Sequence, residues 1–186
     1  HLMPIKALAL SLNGNKLFSG SMDRTICMWD FKQYKSVGWL EGHHQGVTCL
    51  YLTRNGNKLY SGSADSTLRL WNLSDSRKFP FLEGHSDSIT KIALSLDGEK
   101  LISIAKDSYV IIWDLKEYRQ KAILKGHKSK FLSGITVSSD GSKIYTSSYE
   151  DNEIFIWDLN SETLIESFDG LSPSFYLILR SDDMYL

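Results

Sequence analysis

The chain has 186 residues, of which 42% are hydrophobic and 23% charged, a balance typical of globular proteins. Its 21 basic and 22 acidic residues give a formal net charge of −1, which argues against nucleic-acid binding. No apolar run approaches the ~20 residues of a membrane span, so we expect no membrane insertion. Only two cysteines occur, Cys27 and Cys49, and we therefore expect an intracellular location, in the cytoplasm or the nucleus.

The elements predicted along the chain are short strands joined by turns. Short segments rich in apolar and β-branched residues, such as "VTCLYL" and "ITKIAL", are predicted strands, and an Asn-Gly or Asp-Gly pair such as Asn13-Gly14 is a strong hairpin signal between such segments. A third strand ends at Trp29, and a looser fourth strand follows it. The same series then returns three times, and no segment has the periodicity of a long helix. The turn pairs of the later copies are Asn55-Gly56, Asp97-Gly98 and Asp140-Gly141.

Two phrases repeat in register along the sequence. The first ends at tryptophans that are 42, 42 and 44 residues apart, in "SGSMDRTICMWD", "SGSADSTLRLWN", "SIAKDSYVIIWD" and "SSYEDNEIFIWD". The second is a Gly-His phrase whose histidines, His43, His85 and His127, lie 42 residues apart, and one further step back reaches His1. We therefore expect one domain of tandem repeats, part of a longer protein. The predicted repeats are 1–40, 41–82, 83–124 and 125–168, with a partial repeat at 169–186.

The Gly-His phrase, the Asp turn and the closing Trp-Asp pair resemble the WD-repeat β-propellers, in which each repeat is a blade of four short antiparallel strands. The resemblance implies an all-β fold and a partial propeller. We expect an open arc of four four-stranded antiparallel blades plus the start of a fifth. The flanks of such an arc would be apolar patches with unpaired strand edges, so the chain should be marginally stable or self-associate. The expected partners accordingly include the remaining blades of the parent protein.

Each repeat also carries a serine, a histidine and an aspartate, the residue types of a serine hydrolase. The set recurs with the period of the fold, lacks a Gly-x-Ser-x-Gly elbow, and includes a tryptophan, which has no part in acyl transfer. The resemblance implies a structural hydrogen-bond network instead, so no catalytic residue is predicted. Its expected members are His1, Ser19, Asp23 and Trp29; His43, Ser61, Asp65 and Trp71; His85, Ser103, Asp107 and Trp113; and His127, Asp151 and Trp157 with either Thr146 or Ser147.

The predicted function is that of a non-catalytic scaffold or adaptor that binds proteins or peptides on the propeller rim. The alternative is the propeller part of a multidomain enzyme, a kinase or ubiquitin-ligase subunit, with its catalytic part elsewhere. Histidine and cysteine spacings do not match metal sites, and no cofactor is expected. Trp39 is either packed under the outer edge or an exposed contact. The candidate partner-binding residues, which the family geometry would place on one rim, are Met3, Met22, Gln45, Ala64, Asp87, Lys106, Ser129 and Glu150.

Overall fold

A computed structural model of the chain describes residues 1–74, 81–148, 150 and 153–169. All regular secondary structure in these ranges is β-strand, as the repeat pattern predicts, and the all-β prediction is confirmed. None of the described residues forms a helix that is long and apolar enough to cross a membrane. The expected stub of a fifth blade falls almost entirely on residues 170–186, outside the described residues.

The strands form four antiparallel sheets in which sequence neighbours pair. The first sheet contains β1 (Ile5–Leu10), β2 (Lys16–Ser21), β3 (Thr25–Asp30) and β4 (Lys35–Glu41). The second contains β5 (Val47–Leu52), β6 (Lys58–Ser63) and β7 (Leu68–Asn72). The third contains β8 (Ile89–Leu94), β9 (Lys100–Ala105), β10 (Val110–Asp114) and β11 (Arg119–Leu124). The fourth contains β12 (Leu132–Val137), β13 (Lys143–Ser148), β14 (Glu153–Asp158) and β15 (Thr163–Asp169).

The second sheet has three described strands where the repeat predicts four. A bridge between Leu68 and Leu82 occupies the position of the fourth strand. The rest of the expected fourth segment, "RKFPFLEGH", begins at residue 77, and residues 75–80 lie outside the described residues. Each sheet is therefore one repeat, built from strands that are adjacent in sequence.

The residues form two compact units. The first comprises His1–Glu83 with Asp87–Ile89, and the second comprises Gly84–Ser86 with the described residues from Thr90 onward. In the first unit Phe18, Ile26, Val47 and Leu59 form a buried cluster that joins the first two sheets. The buried cluster of the second unit joins the third and fourth sheets, and it comprises Ile102, Ile104, Val110, Ile112, Leu124, Leu132, Ile144, Phe155, Trp157 and Leu159.

A threonine on the first strand of a sheet links that sheet to the first strand of the next. In the second unit the Thr90 hydroxyl lies 3.1 Å from the carbonyl oxygen of Ile104 and 2.9 Å from that of Leu132, the first residue of the following sheet. Thr48 makes the corresponding contacts in the first unit, to the carbonyl oxygens of Gly62 and Ile89. The link repeats because the sequence repeats.

Strand β1 of the first sheet carries exposed apolar side chains. Val47 and Leu50 of β5 pack onto β2 at Gly20, where an added Cβ would lie only 2.6 Å from Val47. Their counterparts 42 residues earlier are Ile5 and Leu8, which are 49% and 62% exposed, whereas Val47 is 0% exposed. We call Ile5, Leu8 and the neighbouring exposed Leu10 the first-sheet flank.

Candidate functional site

Strand register brings a serine and a tryptophan together in each of the first three sheets. In the first sheet Leu17 pairs with Trp29 and Ser19 pairs with Cys27, so Ser19 and Trp29 are diagonal neighbours on one face. A β-bulge lies immediately before Trp29 on its other side, and such bulges redirect side chains. The indole Nε1–H of Trp29 donates to Ser19 Oγ over 2.8 Å.

The second repeat shows the complete network, which we call a quartet: serine, histidine, aspartate and tryptophan. His43 Nε2 lies 2.8 Å from Ser61 Oγ, and His43 Nδ1 lies 3.0 Å from Asp65 Oδ2. Because an ionised carboxylate can only accept, Nδ1 carries a proton, and in the neutral imidazole Nε2 then accepts from the serine hydroxyl. The Trp71 indole N–H donates to that same hydroxyl over 2.9 Å. The donors therefore follow one order along the chain of hydrogen bonds: tryptophan donates to serine, and serine donates to histidine.

The aspartate of this quartet also holds two segments of backbone. Asp65 Oδ2 accepts the backbone N–H of His44 at 2.7 Å, and its Oδ1 accepts the backbone N–H of Thr67 at 3.0 Å. The Thr67 hydroxyl donates to Oδ1 as well, over 2.6 Å. The quartet therefore ties the loop that leads into a sheet to the turn between its second and third strands.

The first and third repeats reproduce this geometry. In the third, His85 lies 2.7 Å from Ser103 Oγ and 2.8 Å from Asp107 Oδ2, and Trp113 donates to Ser103 over 2.8 Å. In the first, the distances from His1 to Ser19 Oγ and to Asp23 Oδ2 are 2.7 Å and 2.8 Å. Three predicted quartets are thus brought together residue by residue.

The fourth repeat uses Thr146 as its hydroxyl, not Ser147. Thr146 Oγ1 lies 2.8 Å from His127 Nε2 and accepts the Trp157 indole N–H over 2.8 Å. Ile144 pairs with Trp157 and Thr146 with Phe155, which puts Thr146 on the tryptophan face and Ser147 on the opposite face. Ser147 is buried, with no hydrogen-bond partner for its hydroxyl among the described residues. Asp151, the expected aspartate, lies outside those residues.

Burial and hydrogen bonding act in opposite directions on the aspartates. Burial raises the pKa of Asp65, but the hydrogen bonds from His43, Thr67 and the His44 backbone outweigh burial and hold that pKa well below 3.8. The pKa of Asp107 is also lowered. Burial raises this pKa, but hydrogen bonds outweigh burial, and the one from His85 has the largest effect among them. The aspartates are therefore ionised near neutral pH, as the proton arrangement requires.

A scan against protein-family models matches the model described as "WD domain, G-beta repeat" four times, over residues 1–30, 34–72, 77–114 and 118–158. The matches cover most of the chain, and each contains one of the tryptophans that close the repeats. The chain belongs to the WD-repeat family. A search of curated proteins found no significant match. WD repeats generally mediate protein–protein interactions, which agrees in general terms with the function expected from sequence.

The loops beside the WD-repeat quartets carry the candidate partner-binding residues. Met3, Gln45, Asp87, Lys106 and Glu150 are exposed, whereas Met22 and Ala64 are half-buried. The backbone carbonyls of Met3 and Gln45 accept the hydroxyls of Ser21 and Ser63, so these two loops are tethered to the ends of strands β2 and β6.

Ser129 does not present a surface to partners, which corrects the expectation from sequence. Its side chain is buried, and its hydroxyl donates to Glu150 Oε2 over 3.2 Å. The same hydroxyl oxygen accepts the backbone N–H of Phe131 at 2.9 Å. Ser129 therefore positions its neighbours, and the loop exposes Phe131, which the sequence reasoning missed, together with Lys128 and Lys130. Phe131 follows an extra residue of the fourth WD repeat, and that insertion was the signal available.

Trp39, the tryptophan outside the repeat register, packs against the first quartet and is also half-exposed. Its ring is edge-on to the His1 imidazole, with centroids 5.2 Å apart, and the residue is 47% exposed. It therefore covers the first quartet of the WD repeats and still faces solvent.

The described residues contain no group of three or more histidine, cysteine, aspartate or glutamate side chains arranged to hold a metal ion. Cys27 and Cys49 are buried and form no disulfide, and burial raises the pKa of Cys27.

Proposed function

We propose that the chain is a non-catalytic interaction module whose loop rim binds protein or peptide partners. The observation that carries the proposal is that the serines of the hydrogen-bond network are buried, whereas polar residues of the adjacent loops are exposed. Ser61 and Ser103 have no exposed surface, and both are hydrogen-bonded to histidine and tryptophan. The neighbouring loop residues Gln45, Lys106 and Glu150 are exposed. Function commonly resides on loops that a rigid scaffold positions.

The burial of the serines supports the non-catalytic part of the proposal. The order of hydrogen bonds, from serine to histidine to aspartate, is that of a hydrolase triad. A nucleophile must reach the substrate carbonyl, however, and the hydroxyl of Ser61 is enclosed. A fluorophosphonate probe should therefore label neither Ser61 nor Ser103 in the folded chain. Labelling that the Ser61→Ala variant abolishes would contradict this part of the proposal.

Selection from a random peptide library tests the binding part of the proposal. The wild-type chain is the bait, and a variant with Gln45, Lys106 and Glu150 each changed to alanine is used for counter-selection. We expect peptides that bind the wild type and not the rim variant. A matched control variant carries alanine at Lys58, Lys143 and Glu117, which are exposed residues outside the rim segments, and it should keep the binding. A selection that yields no rim-dependent peptide would overturn the proposed function.

A further inference from the structure

The rim of the second unit differs from that of the first at two equivalent positions. In the first unit, Gly46 precedes β5, and Met22 closes over it so tightly that an added Cβ would lie 2.6 Å from the methionine sulfur. In the second unit, Phe131 precedes β12 and stands where Gly46 does, and Lys106 stands where Met22 does. Phe131 is 46% exposed, with Lys106 Nζ 6.0 Å from its ring centre. An exposed aromatic–cation pair thus replaces a closed apolar contact.

The loop that carries Phe131 is held in place before any partner binds. The Phe131 backbone N–H is bound by Ser129, which is buried and also bonded to Glu150. At the start of the loop, His127 is anchored to Thr146. A ring whose position is already fixed loses little conformational entropy on binding.

The same rim is rich in lysine. Lys106, Lys125, Lys128 and Lys130 are exposed, and Lys125 Nζ lies 5.3 Å from the ring centre of Tyr109. The segments concerned, residues 84–86, 106–109, 125–131 and 150, contain two carboxylates and no arginine. One of the carboxylates, Asp107, is bound by His85. These described segments therefore present a net positive surface, although the whole chain has a formal net charge of −1.

We propose that Lys106, Lys128, Lys130 and Phe131, which we call the lysine rim, bind an acidic peptide segment of a partner protein. Carboxylates of the segment pair with the three ammonium groups, and an apolar side chain of the segment packs on the exposed face of Phe131. The inference rests on the proposed function and adds the chemistry of the partner. A peptide fits better than a nucleic acid, because a long polyanion needs an extended basic face that the acidic residues of the chain do not leave.

Fluorescence anisotropy with defined probes tests the lysine rim. The probe is a labelled peptide of about 12 residues in which glutamate and aspartate flank a central leucine, and its control has glutamine and asparagine instead. We expect binding of the acidic peptide only, weakened at least about tenfold by Lys106→Glu with Lys130→Glu and severalfold by Phe131→Ser. Raising NaCl from about 20 mM to about 200 mM should weaken it as well, because exposed charges are screened.

The control variant carries Lys58→Glu with Lys143→Glu, an equal change of charge at exposed residues elsewhere, and should bind as the wild type does. Unchanged melting temperatures show that the rim variants remain folded. Equal binding of the neutral peptide, or equal loss in the control variant, would overturn the inference. Tighter binding of an oligothymidine of similar length would assign the surface to nucleic acid and overturn it too.

The result of the library selection separates the two proposals. If the selection yields rim-dependent peptides that are neutral or basic, the proposal that the lysine rim binds acidic peptides is wrong, and the proposed function stands. If it yields no rim-dependent peptide, the proposed function fails as well. Rim-dependent peptides rich in aspartate and glutamate, lost with Lys106→Glu and Lys130→Glu, support both.

Discussion

At the scale of single residues, each described quartet depends on a hydroxyl that accepts one hydrogen bond and donates another. Ser61 accepts from Trp71 and donates to His43; Ser61 and His43 are buried, and Trp71 is half-buried. Removing such a hydroxyl leaves two partners unsatisfied, and a buried polar group without a partner costs more than the net value of one hydrogen bond. The stability of a blade should therefore be sensitive to this one oxygen.

We predict that Ser61→Ala lowers the free energy of unfolding by about 1–3 kcal/mol, because the Trp71 indole N–H and the His43 ring nitrogen lose their partner. Urea unfolding followed by tryptophan fluorescence measures the change. The matched control is Ser36→Ala on β4, where the serine is exposed and the loss should be within about 0.5 kcal/mol. Equal losses in the two variants would show that the buried hydroxyl has no special role.

The quartet aspartates predict acid sensitivity. The pKa of Asp65 in the folded chain is held below its ordinary value of 3.8, so the folded state binds fewer protons than the unfolded state as pH falls. Its contribution to stability is therefore full above the ordinary pKa and is lost as the pH drops through the lower folded value. Urea midpoints should fall between about pH 5 and pH 2.

The variant Asp65→Asn should show a shallower fall over that interval, because one of the depressed groups has been removed. The exposed Asp87→Asn is the control, and its stability should follow the wild-type pH dependence. A fall of the same steepness in Asp65→Asn would contradict the role assigned to the Asp65 carboxylate.

The family resemblance specified three quartets residue by residue, because equal spacing carries its positions from one repeat to the next without a shift. It left Thr146 and Ser147 open, since the fourth repeat has two extra residues and spacing alone does not locate them. Strand pairing decides the question: adjacent residues of a strand face opposite sides, and only Thr146 shares the face of Trp157. That information is contained in the register of the sheet and not in the residue types.

At the scale of elements, the glycine of each Asn-Gly or Asp-Gly pair has a conformation that glycine favours. Gly14, Gly56, Gly98 and Gly141 all have φ between 70° and 73°, the left-handed region that a side chain disfavours. Around Gly56 there is open space, with no atom within 4 Å of an added Cβ. The cost of a substitution at Gly56 is therefore one of backbone conformation alone.

We predict that Gly56→Ala destabilises the second sheet by about 1–2 kcal/mol, since alanine is strained at positive φ. Gly56→Asn should cost less, because asparagine tolerates the left-handed region. Thermal unfolding of the two variants measures the difference. Equal melting temperatures for the alanine, asparagine and wild-type chains would contradict the turn conformation described here.

The exposed pair of Lys106 and Phe131 shows what element-level sequence reasoning missed. Candidate rim residues were counted from the histidine, but the loop before β12 is one residue longer than the loop before β5. The count therefore reached Ser129, whose side chain is buried, and passed over Phe131. Aligning the loops on the strand that follows, rather than on the histidine that precedes it, would have selected the exposed Lys130 and placed Phe131 at the position of Gly46.

At the scale of the whole molecule, the first-sheet flank predicts self-association. Ile5, Leu8 and Leu10 are exposed, although the counterparts of Ile5 in the later sheets, Val47 and Ile89, are fully buried. Contiguous apolar surface of this kind drives association of protein chains. We expect the mass measured by light scattering to rise with the concentration of the chain.

Leu8→Lys with Leu10→Lys should reduce that rise without lowering the melting temperature, because both side chains are already largely exposed. The control is Leu164→Lys on β15, an exposed leucine outside the flank, which should leave association unchanged. A wild-type chain that remains monomeric at all concentrations would contradict the prediction.

The central claim for the whole molecule is that one tryptophan per repeat is hydrogen-bonded to a buried serine or threonine hydroxyl. Amide and indole hydrogen exchange, followed by NMR, tests this claim directly, because the chain has five tryptophans and four of them are quartet members. We predict that the indole N–H groups of Trp29, Trp71, Trp113 and Trp157 exchange slowly and that of the half-exposed Trp39 exchanges fast. Five indoles that exchange at one common fast rate would contradict the account.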